Sequence, residues 1–426
     1  MEHLRQGRIQ AGATNLRRKF HIPSKREKKK KQLPFAMLNG VDHFIASRLF
    51  KKELRYALVS NHASFSAAGI PVAVALLRAG VPLVTLFSPE HGIGAQAEDG
   101  QRQNNSTDNL TQLPVVSLYG PHFAPTEKDL EDIDVTLFDL PNIGCRFYTY
   151  LWTLSYIMEA CGKYRKKLIV LDRPNLLGVD MSMSEGPLLD EQHCSSFVGR
   201  WAIPLRYTLT YGEMALYWND QKKLQVALEV IKAGDAIFNN TDDEKHSFFI
   251  PASPSMPTLQ SAMLYPGTGL LEGINVNEGR GSSAPFQLLG APWINGMDLH
   301  AYVNSLAIPG LACIPYSYMP MWGKYEKKLC HGLYMQVTDA AAFRPVSTGI
   351  LLLSVLYDLY PQQLEAAPYP TFANPSGAQH LEKLAGTTAI WHWIKTNPAA
   401  LKKQLPDLLD TAEWRNGVKK YLLYGR

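Results

Sequence analysis

Cysteine is scarce in this chain of 426 residues, and the five present (Cys145, Cys161, Cys194, Cys313 and Cys330) stand far apart with no Cys-x-x-Cys pair. That excludes a disulfide framework and a cysteine-built zinc site. Long apolar runs are missing too: nothing approaches the roughly 20 residues that a membrane-spanning helix needs. No Gly-x-Gly-x-x-Gly follows the first apolar run, so the dinucleotide fingerprint is absent. No Gly-Lys-Ser/Thr completes a phosphate-binding Walker loop, and no Gly-x-Ser-x-Gly supplies a nucleophile elbow. His62, His91, His122 and His193 show neither His-x-x-x-His nor His-Glu-x-x-His spacing. The residues therefore give no support for a metal, and no cofactor is expected.

Charge is present but unevenly placed. Residues 1–34 hold 11 Lys/Arg against 2 Glu, and the remainder holds 32 basic against 36 acidic residues, so the net +5 is +9 in the tail and −4 in the body. The basic character belongs to a solvated tail, expected to be disordered. The body lacks the basic stripe of a nucleic-acid binder. The N-terminus has no secretory signal, which leads to a cytoplasmic expectation.

From residue 55 onward, short apolar runs alternate with helical periods. Residues 55–61, 81–87, 115–118, 135–140 and 167–171 read as buried strands. Helices are expected over 66–79, from the Thr126 cap to about residue 133, and over 148–161 with Gly162 as a stop. This pattern predicts an α/β fold with a doubly wound, mostly parallel sheet. After about residue 245, prolines and glycines crowd the chain, with Pro251, Pro254, Pro257, Pro266, Pro285 and Pro292 inside an apolar, aromatic-rich stretch. A loop of that kind is functional rather than a linker. A smaller α+β unit is expected beyond it, with a helix at 297–306, strands near 311–316 and 333–338, a helix at 344–359, and helices through 380–426. The expected organisation is a tail at 1–34, a first domain at 35–245 and a second at 246–426 carrying the loop 251–294.

Ligands of open parallel sheets bind outside the carboxyl ends of the strands. Three strands here end in constrained polar segments: Ser88-Pro89-Glu90-His91-Gly92, residues 141–150, and Asp172-Arg173-Pro174-Asn175. Glu90 is the first candidate for an acid or base, with His91 as a hydrogen-bonding neighbour. Arg146 has the fork that recognises carboxylates, or else forms an internal salt bridge to Asp139 or Asp172. Tyr148 and Tyr150 cannot share a helical face, so one is expected in a cleft and the other in packing. Glu185 and Glu278 are further carboxyls in constrained turns, and Arg280 sits between two glycines. Paired carboxyls across a cleft are the equipment of glycoside hydrolysis.

These segments resemble a known family, the exo-acting β-N-acetylmuramidases of bacteria (NamZ-type). The likeness is carried by FSPEHGIGA (87–95), LPVVSLYG (113–120), GCRFYTYLWTL (144–154), LDRPNLLG (171–178), EGPLLD (185–190), IPLRYTLTYGE (203–213), the block around 251–294 and the closing YLLYGR. It spans about residues 37–426. The resemblance implies a Rossmann-like domain with a smaller α+β domain and the cleft between them. It also implies release of terminal N-acetylmuramic acid from peptidoglycan fragments, with a peptidoglycan-derived sugar as the partner and no nucleic acid. Glu90 would be catalytic, with Glu278 or Glu185 as base, nucleophile or orienting group. Arg146, Tyr148, Arg173, Asn175 and Arg280 would line the cleft. The chain departs from the family pattern before Gly144: Pro141-Asn142 stands where a Gln-Asp pair is expected, so an acid is missing there. The rival expectations are a non-catalytic binder of muropeptides on the same cleft and an acyl or amide hydrolase, for which no nucleophile is found.

Overall fold

The computed structural model describes residues 39–234 and 249–425; the basic tail lies outside them. The first half is built on a seven-stranded sheet. After α1 (Gly40–Ala46), the chain forms β1 (Tyr56–Val59), α2 (Val72–Ala79), β2 (Leu83–Ser88), β3 (Ser106–Thr107), β4 (Pro114–Ser117), α3 (Glu127–Leu130) and β5 (Val135–Phe138). It continues through α4 (Tyr150–Lys163), β6 (Lys167–Leu171), α5 (Tyr211–Gln221) and β7 (Ala227–Ile231). The strand order is β3-β4-β2-β1-β5-β6-β7. All neighbours are parallel except β3 with β4. Order reverses at β1, the switch point where such sheets open a crevice.

Period-two alternation explains why both faces are dry. Tyr56 and Leu58 of β1, with Ile169 and Leu171 of β6, join α1 and α2 in one core cluster. Ala57, Val59, Leu168 and Val170 point the other way, into a larger cluster with α4 and α5 that runs on into the second half of the chain. On that face Trp152 stacks on Trp218 at 5.4 Å.

Two boundaries differ from expectation for local reasons. The helix expected from residue 66 starts at Val72, because Pro71 at its N-cap has ψ 136° and bridges back to Phe65 in extended form. Gly162 does not stop α4 but lies inside it, and a Cβ there would fall 2.2 Å from the Leu224 carbonyl oxygen. That glycine permits close packing.

The second half begins with α6 (Leu259–Thr268) and β8 (Leu288–Ala291), both inside the proline- and glycine-rich stretch. Then come α7 (Gly296–Ser305), β9 (Leu311–Tyr318), β10 (Cys330–Val337) and α8 (Pro345–Leu359), near the expected positions. Four short helices close the chain: α9 (His380–Ala385), α10 (Ala389–Thr396), α11 (Pro398–Leu409) and α12 (Ala412–Val418). The small sheet is antiparallel, ordered β8-β10-β9. No helix among the described residues is long and apolar enough to cross a membrane.

Candidate active site

Glu90 lies just beyond β2, beside the switch point. The turn that follows puts His91 and Gly92 at φ +68° and +72°. A left-handed backbone costs a non-glycine residue about 1–2 kcal/mol, so His91 is held there by its surroundings. Its Nδ1 donates to the Ala97 carbonyl oxygen at 2.8 Å; a carbonyl only accepts, which fixes a proton on Nδ1. Glu90 itself is buried at 6% exposure. Its Oε1 accepts from the Gly100 N–H at 2.7 Å and its Oε2 from the Thr149 hydroxyl at 2.6 Å. Thr149 stands at the N-cap of α4 but makes no cap bond to its own helix; it turns its hydroxyl to Glu90 instead.

Glu90 and His91 form one wall of a cavity between the two halves of the chain. The other wall comes from Glu272, Arg280, Phe286, Tyr369 and His380, with Tyr148, Phe147 and Tyr265 at the floor. The cavity is narrow, about 60 Å³. The halves are tied at Gly100, whose carbonyl accepts from the Phe372 N–H at 2.8 Å while its own N–H holds Glu90. Gly100 has φ +71°, and a Cβ would lie 2.8 Å from Thr371.

A charge network lines the second wall. Arg280 Nη1 lies 2.8 Å from Glu272 and 3.2 Å from Glu278, and its Nε is 3.4 Å from Asp99. The guanidinium also lies over Phe286 at 4.8 Å. Lys324 meets the other oxygen of Glu278 at 3.1 Å. Burial raises the carboxyls of Asp99 and Glu278, but the cations outweigh it: Arg280 pulls Asp99 below the usual carboxylate range, and Lys324 then Arg280 do the same for Glu278. Tyr369 donates to Asp99 at 2.5 Å and stacks on His380 at 4.7 Å. His380 lies 3.3 Å from Glu272.

Of the residues singled out in the sequence, Glu90, His91, Tyr148 and Arg280 line the cavity. The two tyrosines divide as expected. Tyr148 faces the cavity, and burial pushes its hydroxyl above the ordinary range. Tyr150 is packed inside, accepting from Asn61 at 2.8 Å and donating to the Ala252 carbonyl at 2.7 Å.

The others do not line the cavity. Arg146 is fully buried and forms neither expected salt bridge; it donates to the carbonyls of Pro187, Ile203 and Leu384 at 2.6, 3.0 and 3.0 Å. Burial lowers its pKa to about 10. Arg173 pairs with Asp139 and donates to the Phe65 carbonyl. Asn175 donates to Leu209 and caps the Leu177 N–H. Glu185 reaches the N-terminus of α8, accepting from the N–H groups of Val346 and Ser347 at 3.1 Å each. Glu278 sits behind Arg280, clamped between it and Lys324. Sequence reading missed Asp99, Thr149, Glu272, Tyr369 and His380; the one available signal was the glycine beside Asp99, at a point where a tight backbone is required.

Known proteins are similar to this chain across both of its halves. Residues 56–260 match the family model described as exo-beta-N-acetylmuramidase NamZ, N-terminal, and residues 263–424 match its C-terminal counterpart. The chain is 35% identical over 394 residues to the peptidoglycan beta-N-acetylmuramidase NamZ of Bacillus subtilis (strain 168), covering 90% of this chain and 91% of that protein. Two crystal structures of DUF1343 family proteins from Bacteroides fragilis NCTC 9343 are similar. One has a TM-score of 0.78 at 27% identity, covering 92% of this chain and 99% of the other. The second has a TM-score of 0.65 at 25% identity, covering 91% and 99%. With both halves matched and the cleft formed where they meet, the chain belongs to the NamZ family of exo-β-N-acetylmuramidases.

Proposed function

We propose that this protein is an exo-acting glycoside hydrolase that releases terminal N-acetylmuramic acid from peptidoglycan fragments, with Glu90 as the general acid. The observation that carries the assignment is the kind of partner each cavity carboxyl has. Asp99 and Glu272 are ion-paired to Arg280. Glu90 is held by a backbone N–H and a hydroxyl, both neutral. A proton can come and go at Glu90 without breaking an ion pair, as general acid chemistry requires. With Oε2 protonated, the Thr149 hydroxyl can turn from donor to acceptor.

In the proposed step Glu90 gives its proton to the glycosidic oxygen as the bond to the anomeric carbon breaks. Glu185 and Glu278 are engaged elsewhere, so the second role falls to Asp99 or Glu272 in the cavity, or to the acetamido group of the sugar itself. Arg280 is the proposed contact for the lactyl carboxylate that distinguishes muramic acid, and Tyr148, Tyr265 and Phe286 offer apolar faces to the ring.

The test is release of p-nitrophenol from p-nitrophenyl β-N-acetylmuramide by the purified protein. Glu90→Gln is expected to lower kcat by about 10²–10⁴-fold, the usual worth of a general acid. A variant that keeps most of its rate overturns the assignment of Glu90. Tight binding of the sugar without turnover by the wild type would replace the hydrolase with a binding protein.

A further inference from the structure

The cavity as it stands is too small for the sugar proposed to fill it. Sites for small molecules run to about 300–1,000 Å³, and this one encloses about 60 Å³. A sugar ring therefore enters only after part of the wall has moved. Tyr369 and Thr371 belong to that wall, and both lie in the irregular segment that links α8 to α9. The base of this segment is fixed to the second half, where Ala366 pairs with Ile274 and the Ala367 N–H donates to the Gly273 carbonyl at 2.9 Å. Beyond Ala367 it crosses to the first half as a strap.

The strap is braced within itself. Thr371 and Asn374 exchange N–H to carbonyl bonds of 3.1 Å each, and the Tyr369 N–H donates to the Gly377 carbonyl at 3.0 Å. It can thus move as one piece. On the first half it holds a single loop and a single ring. The Phe372 N–H donates to the Gly100 carbonyl at 2.8 Å, the Tyr369 hydroxyl donates to Asp99 at 2.5 Å, and the Arg102 guanidinium lies over the Phe372 ring at 5.8 Å. That ring also meets Tyr119, just beyond β4, at 5.8 Å and 65°.

Both the loop and the ring lead to Glu90. Gly100 takes the Phe372 N–H on its carbonyl and gives its own N–H to Glu90 Oε1 at 2.7 Å. Burial, and then the Glu90 carboxylate, push the Tyr119 hydroxyl above its ordinary range, while Thr371 and the Ala373 N–H pull it back. That hydroxyl therefore stands between the strap and the acid. The loop is tied to the same residue, since the Gln103 N–H donates to the Tyr119 carbonyl at 2.7 Å.

We infer that the strap 369–374 is a gate whose closing sets the general acid: it lifts to admit the sugar, and on its return Phe372 positions Glu90 through Gly100. This rests on the muramidase reading above. Phe372 does not line the cavity, so it is a positioning residue and not a catalytic one. The arrangement imposes an order on the reaction. With the strap lifted, Gly100 loses the bond that orients its peptide, and its N–H can turn away from Glu90. Gly100 and Thr149 hold Glu90 together only once the sugar is enclosed, so water is excluded when the glycosidic bond breaks.

The test uses Phe372→Ala, which keeps the backbone donor and removes the ring that seats the strap. Wild type, Phe372→Ala, Glu90→Gln and the double variant are assayed on N-acetylmuramic acid β-1,4-linked to N-acetylglucosamine. Alone, Phe372→Ala should lower kcat by about 10-fold. In the Glu90→Gln background there is no acid to position, so the same change should alter kcat by less than about twofold, because two changes acting through one group are not additive. An equal loss in both backgrounds is what a merely structural defect gives, and it overturns the inference. So does a kcat that Phe372→Ala alone leaves unchanged. A second measurement needs no variant. In hydrogen exchange on the wild type, peptides covering 96–103 and 369–374 should open together and faster than β1 and β5, and saturating N-acetylmuramic acid should slow both by at least about fivefold. Opening of one segment without the other, or no response to the sugar, overturns the gate. A wild type that does not turn over the disaccharide is a failure of the hydrolase reading, and the exchange result then decides the gate by itself.

Discussion

Glu185 offers the sharpest separation of scaffold from chemistry. The residue before α8, Arg344, provides no side-chain cap, so the first N–H groups of a 15-residue helix look elsewhere for acceptors. Glu185 comes 161 positions along the chain to supply them, with bonds to the Val346 N–H at 3.1 Å, the Ser347 N–H at 3.1 Å and the Ser347 hydroxyl at 2.7 Å. Glu185→Ala strands a fully buried N–H and a partly buried one. A buried donor without a partner costs about 1–3 kcal/mol, and loss of the carboxylate from the positive end of a helix adds roughly 0.3–1 kcal/mol. The sum is about 3 kcal/mol. At the roughly 2–4 °C per kcal/mol of domains this large, Tm should fall by about 6–12 °C. Below the transition, kcat on p-nitrophenyl β-N-acetylmuramide should stay within twofold of wild type. Calorimetry and steady-state kinetics on one preparation check both numbers. A variant of unchanged Tm that has lost about 100-fold in kcat refutes the reasoning and restores Glu185 to the chemistry.

Two further outcomes follow from the geometry of the cleft. Thr149→Val keeps the shape of the side chain but removes the hydroxyl 2.6 Å from Glu90; a typical hydrogen bond is worth about 0.5–1.5 kcal/mol, so kcat/KM should fall about 2–12-fold with Tm little changed, and an unchanged rate would show that this bond does not position Glu90. Asp99 and Glu278 are held below their ordinary values in the folded chain, so their ion pairs stabilise the fold above about pH 4–5 and this support is lost as pH falls below the ordinary carboxylate range. Urea midpoints measured from pH 6 to pH 3 should drop more steeply for wild type than for Glu278→Gln, and parallel curves would refute the assignment.

β1, β2, β4, β5 and β6 were legible because they lie inside the sheet and leave short apolar runs; β3 and β7 are its edges, more exposed, and were missed. Glu90 was legible because it follows such a run at a constrained turn. The opposite wall was not. Asp99, Glu272, Tyr369 and His380 come from four separate segments and meet only when the two halves close, and no local spacing records that meeting. β8 was missed because four residues, Leu288–Ala291, carry too little pattern of their own; the pairing with β10 makes them a strand. Arg146 and Arg173 misled for a different reason. A sequence displays an arginine in a constrained turn, but not whether its partner is a ligand, a carboxylate or a row of backbone carbonyls. In Arg146 the carbonyls of Pro187, Ile203 and Leu384 come from segments brought together by folding, and its fork joins the two halves of the chain.

Asn142 shows why the one acid that this chain lacks does not weigh against hydrolysis. The side chain does not line the cavity. Its amide nitrogen donates to the Leu209 carbonyl at 3.0 Å, and its oxygen accepts from the Gly144 N–H at 2.9 Å and the Tyr207 hydroxyl at 2.6 Å. The Leu209 bond requires a donor, which an aspartate has only when protonated. Asn142 therefore belongs to the support of the Gly144 turn, where φ is +80°, and through that turn to the start of α4 and the hydroxyl of Thr149. Among the described residues the carboxyls that line the cavity are Glu90, Asp99 and Glu272. An amide at position 142 changes how the wall is braced and leaves the acid inventory of the cleft intact.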